Sequence, residues 1–301
     1  MKLYDLIIIG AGPAGITAAV YAARKKMDFL VLTGDIGGQA AWSGDIENYT
    51  GYQFISGPEL AQKFEEHMRK YDVPVKEKEE VIEIRKLEKD ILVKTLRGEY
   101  QSKTVIIASG KRSKELGVPG EKEFKNKGLT YCATCDGPLF ARKDVAIIGG
   151  GNSALDAALQ LIKIARKVYI INNTLNLGGD LIMRQKVESA ENTVIKNNSQ
   201  VSAVLGDKLV EKIRVVSQGR EEEISVQGIF VEVGLIPNSG FIKDVEKNSH
   251  GEIKINSYNE TSIPGIFAAG DVTDVPQKQI IIAAGEGSKA SLGAFNYLSR
   301  N

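Results

Sequence analysis

The chain has 301 residues, more than one hydrophobic core usually serves, so two domains are expected. Hydrophobic residues make up 43% and charged residues 26%, and Lys+Arg 39 against Asp+Glu 38 leave a formal charge of +1. That balance excludes a nucleic-acid footprint and an acidic tail, and no apolar stretch approaches the length of a membrane span.

Leu6 to Ile9 is a continuous apolar run ended by Gly10-Ala11-Gly12-Pro13-Ala14-Gly15; Ala14 to Arg24 then reads as an Ala-rich helix and Phe29 to Leu32 as a second strand. Strand, glycine turn, helix, strand is the context in which GxGxxG binds a dinucleotide. The glycines let backbone approach the pyrophosphate, and the helix N-terminus faces its charge. The N-terminus enters this strand with no targeting pattern, so a cytoplasmic location is expected. In the turn Thr33 to Gln39, Asp35 is placed to accept from a ribose hydroxyl.

Ser56-Gly57-Pro58-Glu59 reads as a capping box opening a helix with Leu60, Phe64, Met68 and Tyr71 on its core face. His67 on that helix is read as a surface or packing residue. Glu77 to Asp90 and Ile91 to Leu96 form a solvated β-ribbon, and Val105 to Gly110 returns a strand to a parallel sheet. Lys111 to Lys114 is read as a polar linker, the first crossing between domains.

Cys132-Ala133-Thr134-Cys135-Asp136-Gly137 contains both cysteines of the chain. Thiols two residues apart close a small disulfide ring and carry a lowered pKa at a helix start or beside a positive charge, so the pair points to reversible redox chemistry. A zinc site would need two further ligands, and His67 and His250 lie in no ligand-spaced cluster, so no metal is expected. A purely structural bridge over so short a loop would remove little chain entropy.

Val145 to Gly149 repeats the opening pattern and leads into Gly149-Gly150-Gly151-Asn152-Ser153-Ala154. A helix with Ala154, Leu155, Ala158, Leu159 and Ile162 inward follows, then the strand Val168 to Ile171. The chain therefore reads as two nucleotide folds flanking a dithiol, which suits electron transfer between a nucleotide cofactor and that dithiol. Ile213 to Ser217 and Ile224 to Val231 are expected to form a ribbon around an acidic turn, Glu221 to Glu223. Ile266 to Asp271 is a strand ending in Gly-Asp. Gln279 to Tyr297 is a helix whose Ala283, Ala284, Gly285 and Gly287 permit close approach.

Taken in order, Gly10 to Gly15, Gly37-Gly38-Gln39, Glu47-Asn48-Tyr49, Cys132 to Gly137, Gly149 to Ala154, Gly270-Asp271-Val272 and Gln279-Ile280 resemble the low-molecular-weight thioredoxin reductases and the related flavoprotein component of alkyl hydroperoxide reductase. The likeness covers essentially the whole chain. It implies an α/β fold of two Rossmann-like, three-layer ββα domains, the first discontinuous: residues 1–112 with 244–301 for FAD, and 113–243 for a pyridine nucleotide and the CxxC. FAD would be held by Gly10, Gly12, Pro13, Ala14, Gly15, Asp35, Gly38, Gln39, Asn48, Gly110, Gly270, Asp271, Gln279 and Ile280, and the second nucleotide by Gly149, Gly151, Asn152 and Ser153. Cys135 would face the isoalloxazine, Cys132 would be the interchange thiol, and Asp136 the acid managing protons at the dithiol. The acceptor implied is thioredoxin or a thioredoxin- or glutaredoxin-like protein, and the resemblance extends to a homodimer whose central domain rotates about its linkers.

One departure bears on the donor. Relatives that use NADPH carry a His-Arg-Arg run after the strand that here is Val168 to Ile171, its arginines clamping the 2′-phosphate. This chain has Asn172-Asn173-Thr174, with no arginine until Arg184 and no Glu or Asp to take the ribose 2′-hydroxyl of NADH; Asn172 and Asn173 are expected to offer only neutral hydrogen bonds, which a ribose hydroxyl can use but which leave a 2′-phosphate largely uncompensated. NADH, NADPH and reduced ferredoxin all stay open as donors. A flavin and dithiol redox sensor without turnover is the alternative to an enzyme.

Overall fold

The computed structural model describes every residue except Met1, Gly44, Glu47 and Asn301, and all side chains of the described residues except those of Trp42, Asp45 and Cys135. It divides into two compact units, Met1–Arg112 with Ile236–Asn301, and Ser113–Leu235.

In the first unit a seven-stranded sheet is built around Leu3–Ala11, which runs parallel to Phe29–Ile36 on one side and Glu99–Ile107 on the other. Leu6 and Ile8 face the helices Pro13–Arg24 and Ile280–Leu298. Ile7 and Ile9 face a second layer made by the ribbon Val81–Lys86 and Ile91–Thr95 with Ile242, Val245 and Ile253. Both faces of the sheet are covered, so the strand reads as an unbroken apolar run rather than an alternation. Full burial of each such side chain contributes about 2 kcal/mol before entropy.

Glu99–Ile107 changes partner along its length. Glu99 to Ser102 pair antiparallel with Ile91–Lys94, whereas Val105 to Ile107 pair parallel with Ile266–Ala268. The late Gly-Asp segment thus re-enters the sheet beside the first glycine loop. Gly287 seals the approach, since a Cβ there would lie 2.0 Å from the Ala14 carbonyl oxygen. The N-cap half of the expected capping box is present, with the Ser56 hydroxyl accepting from the Glu59 amide at 3.4 Å at the head of Gly57–Arg69, while the Glu59 carboxylate faces Lys63 at 3.8 Å.

Two expectations about the crossings need correction. Residues 111 to 114 are not simply a polar linker, because Lys111–Ser113 pairs as a strand with Leu235–Pro237. The chain re-enters the first unit at Ile236 rather than 244, because Phe241, Ile242 and Val245 pack into that unit's core.

The second unit carries five parallel strands in the order Leu129–Thr130, Gly228–Val231, Asp144–Ile148, Lys167–Ile171, Thr193–Lys196. An antiparallel sheet of Ser199–Gly206, Val210–Ser217 and Arg220–Ser225 accompanies them. The ribbon expected around Glu221 to Glu223 is therefore displaced. Its turn is Gln218-Gly219, both with positive φ, and the three acids stand within the third strand. The expected strand Ile224 to Val231 divides near Val226, and its two halves join different sheets. No helix among the described residues is long and apolar enough to cross a membrane.

Candidate active site

In the first unit Gly10 has φ +99°, and a Cβ there would stand 2.4 Å from the Ala108 carbonyl oxygen, so the turn off the first strand admits only glycine. A Cβ on Gly15 would be 1.9 Å from the Gly10 oxygen, which brings the helix hard against the turn. Gly12 is the N-cap of Pro13–Arg24, with proline at the helix start, no side-chain cap and no acid in the first turn. The leading amides are thereby left for an anionic ligand.

Gly37, Gly38 and Gly270 stand against this loop, and others of the expected flavin residues are tied to one another. The Gly37 amide donates to the Ala11 carbonyl at 2.8 Å, setting the Gly37-Gly38 turn beside Gly12. Asn48 Nδ2 donates to Gln279 Oε1 at 3.0 Å, joining two expected site residues 231 positions apart, and Gln39 Nε2 donates to the Lys111 carbonyl at 3.0 Å. Gly270 lies 3.0 Å, measured from its Cβ position, from the Ala14 methyl, and nothing stands within 4 Å of the corresponding position on Gly110. Ile280 opens the last helix with Gln279 as its N-cap, and Asp35 lies near the exposed end of the second strand. Glu47 lies outside the described residues.

Asp271 is largely enclosed, and burial raises its carboxyl against the pull of Lys278 and Lys111. Those lysines belong to an ion triad that sequence reading missed. Lys111 Nζ lies 2.8 Å and Lys278 Nζ 3.1 Å from Glu252 Oε1, with Lys111 and Glu252 side chains only 13% and 12% exposed. Burial works against this carboxylate, yet Lys111, Asn248 and Lys278 hold it down to about 2. Glu286 was also missed. It is buried in the small-residue helix and accepts from the Gly270 amide at 2.8 Å, and a lone acid in so apolar a helix was the available signal.

In the second unit Gly149 has φ +134° and a Cβ position 2.1 Å from the Glu232 carbonyl oxygen, reproducing the geometry of Gly10. Gly151 caps Asn152–Leu161 with no side-chain cap and faces open space, and Ser153 lies in the first turn of that helix. Asn152 instead turns to the following loop, its Oδ1 accepting from the Asp180 amide at 2.7 Å. Gly178 N also donates to the Gly150 carbonyl at 2.7 Å, so residues 172 to 180 fold back against the glycine loop.

The expectation that Asn172 offers hydrogen bonds to a ribose is corrected here. Asn172 is 2% exposed. Its Nδ2 donates to Asn197 Oδ1 at 2.8 Å and to the Thr174 carbonyl at 3.1 Å, and its Oδ1 accepts from Thr174 Oγ1 at 2.9 Å. It packs against Gly150, where a Cβ would stand 2.3 Å from Oδ1. Only Asn173 of the pair is exposed. Arg184 Nη1 lies 3.4 Å from the Leu177 carbonyl, held within the fold-back rather than extended from it.

Cys132 stands immediately before the one-turn helix Ala133–Asp136, which carries the rest of the CxxC, and it is disulfide-bonded. The side chain of Cys135 lies outside the described residues. The Cys132 amide donates to Thr130 Oγ1 at 3.2 Å, and the same hydroxyl donates to the Asp136 carboxylate. Tyr131, just before, donates to Glu121 Oε1 at 2.7 Å, and that buried carboxylate also accepts from the Leu116 and Gly117 amides. The entry to the dithiol is thereby tied down on both sides.

Glu232 follows the strand Gly228–Val231, its amide donating to the Ile148 carbonyl at 2.7 Å. Burial, and after it the neighbouring Asp156, push its carboxyl up to about 8. The folded chain thus keeps a proton that the unfolded chain, with an ordinary value of 4.5, gives up. Stability falls as pH rises from the unfolded value to the folded one and is level above it. Glu232→Gln should therefore stabilise the protein at pH 9 by on the order of 3 kcal/mol and change little at pH 4. Thermal unfolding at the two pH values checks this, and an equal gain at both would point to packing instead.

The model of the pyridine nucleotide-disulphide oxidoreductase family matches residues 4–287. This chain belongs to that family. It is 42% identical over 303 residues to a Bacillus subtilis NADH dehydrogenase, covering 99% of this chain and 59% of the relative. It is likewise 42% identical over 302 residues to the F component of alkyl hydroperoxide reductase from Staphylococcus aureus, covering 99% and 60%. The chain therefore spans less than two thirds of the length of these curated relatives. The crystal structure of Lactococcus lactis thioredoxin reductase superposes with a TM-score of 0.93 at 35% identity, covering 99% of this chain and 100% of that one.

Proposed function

We propose that the chain is a flavoprotein disulfide reductase that carries two electrons from a donor through FAD to a Cys132–Cys135 disulfide, and from the resulting dithiol to thioredoxin or a thioredoxin-like protein. The observation that carries this reading is the disulfide at Cys132, at the head of a one-turn helix within the unit that also holds the second open glycine loop. Family membership and the likeness to L. lactis thioredoxin reductase support it.

The first unit fits FAD. Gly12 leaves uncapped helix amides for the pyrophosphate, the open faces of Gly12 and Gly110 leave room for backbone-close contact, and we assign Asp271, next to the Gly270 that packs on Ala14, to the ribityl hydroxyls. When bound, the flavin supplies a two-electron store between donor and disulfide. Cys132 is the thiol that attacks the acceptor disulfide, Cys135 resolves the mixed disulfide, and Asp136, oriented by Thr130, exchanges protons with the dithiol. We assign Gly149, Gly151, Asn152 and Ser153 to a pyridine nucleotide, Asn152 acting by holding the loop at Asp180. A homodimer and a cytoplasmic setting complete the reading.

For the donor, an inward-turned Asn172 leaves neither a guanidinium for a 2′-phosphate nor a carboxylate for a 2′-hydroxyl. NADH, in keeping with the B. subtilis relative, should therefore be at least as effective as NADPH, both binding weakly, with reduced ferredoxin as the other donor class. The test is anaerobic flavin bleaching with the three donors in parallel, followed by transfer to a thioredoxin-fold disulfide. Yellow protein with one FAD per chain, bleached by NADH, is the expected result. Colourless protein that FAD cannot reconstitute sinks the reading. A low-micromolar NADPH constant with strong discrimination against NADH would overturn the donor assignment.

A further inference from the structure

The turn Ala133–Asp136 is four residues long, too short to hold helical geometry by its own backbone bonds. On one side Thr130 holds Asp136. On the other, Thr134, between the two cysteines, donates from Oγ1 to Gln160 Oε1 at 2.9 Å, and Gln160 Nε2 donates to Asp156 Oδ2 at 2.9 Å. Asp156 and Gln160 stand one turn apart on the helix Asn152–Leu161, which starts at the second glycine loop. Gln160 turns its amide nitrogen to Asp156, so the amide oxygen is the end left to accept from Thr134. Ala133 packs beside this contact among Leu155, Ala158 and Leu161.

We propose that Gln160, oriented by Asp156, is a positioning residue for the redox dithiol, pinning Thr134 so that the turn between the cysteines keeps the geometry in which their sulfurs bond. This rests on the reading that Cys132 and Cys135 form a working redox couple. The bond is present with Cys132 oxidised, so it stabilises the disulfide by preorganising the turn; reduction breaks the S–S bond and leaves two thiols that need no such constraint. Neither Thr134 nor Gln160 exchanges electrons or protons.

The test is an anaerobic equilibrium titration of the flavin-loaded protein against dithiothreitol. Two dithiothreitol thiols give up two electrons and two protons to become a cyclic disulfide, and the protein disulfide takes them up. Alkylation and mass measurement of the peptide spanning residues 132–135 count its thiols. Thr134→Val and Gln160→Leu should each shift the equilibrium about fivefold toward the dithiol, the size of one lost hydrogen bond, or about 20 mV at about 30 mV per tenfold for a two-electron couple. Thr134→Ser, which keeps the hydroxyl, should restore the wild-type constant, and the double variant should shift no further than either single one. An unchanged constant in Thr134→Val and Gln160→Leu, an additive double variant, or an equal shift in Thr134→Ser would overturn the positioning role while leaving the redox reading intact. Wild-type protein with no reversible couple at all would overturn both.

Discussion

Cys132→Ser is expected to lower reduction of a thioredoxin-like acceptor by about 10³-fold or more while leaving flavin content and flavin reduction by the donor unchanged. A serine hydroxyl ionises far above neutral pH, so it supplies neither the attacking thiolate nor a group that can close a disulfide with its neighbour, and loss of a nucleophile costs on this scale or beyond. The fold has no reason to respond. Cys132 is only partly buried, and its local anchor, the amide bond to Thr130 at 3.2 Å, belongs to the backbone and survives the change. Cys135→Ser should also abolish transfer, and in both variants electrons stop at the flavin, since neither can form the internal disulfide. The thiol left behind separates them: only Cys132→Ser keeps Cys135 to contact the oxidised flavin, so a long-wavelength thiolate-to-flavin absorbance is expected there and not in Cys135→Ser. Near wild-type turnover in either would remove the dithiol relay.

A pair of alanine variants separates the flavin loop's role in binding from its role in folding. Gly15→Ala places a Cβ 1.9 Å from the Gly10 oxygen, and backbone on both sides leaves no flexible side chain to give way, so a loss of about 3 kcal/mol in stability is expected, with flavin binding lost alongside. Gly12→Ala is different. Its backbone is extended, at φ −79° and ψ −172°, and a Cβ there meets nothing closer than 4.0 Å, so the apoprotein should melt as the wild type does. The new methyl nevertheless occupies the face where the pyrophosphate must approach backbone, and FAD affinity should fall at least about tenfold. Fluorescence titration of apoprotein with FAD measures the second effect and calorimetry the first. Unchanged FAD affinity in Gly12→Ala would move the pyrophosphate away from this loop.

Local patterning made the elements of this chain readable. The runs at Leu6 to Ile9 and Val145 to Ile148, each followed by glycines, announce parallel strands turned into helices, because a strand covered on both faces must be apolar at every position. The CxxC is legible for a similar reason, since its chemistry is contained in four consecutive residues. Ser56 likewise announced its helix from three residues away.

What stayed hidden lies in contacts between distant residues. Asn172 looked like an open hydrogen-bonding group at a strand end, but Asn197 and Thr174 consume it, and no pattern around 172 shows that residue 197 will be its neighbour. The ion triad joins Lys111 to residues 252 and 278, and Asn48 reaches Gln279 across 231 positions. The run Ile224 to Val231 divides between two sheets because each half finds a different partner strand, which composition cannot specify. Sequence alone thus determined the two glycine loops, the dithiol and the strand and helix periods, since these depend on residues within a few positions of one another. Tertiary structure decided which side chains remain available at those sites, because hydrogen-bonding capacity is consumed by whichever groups the fold brings within about 3 Å.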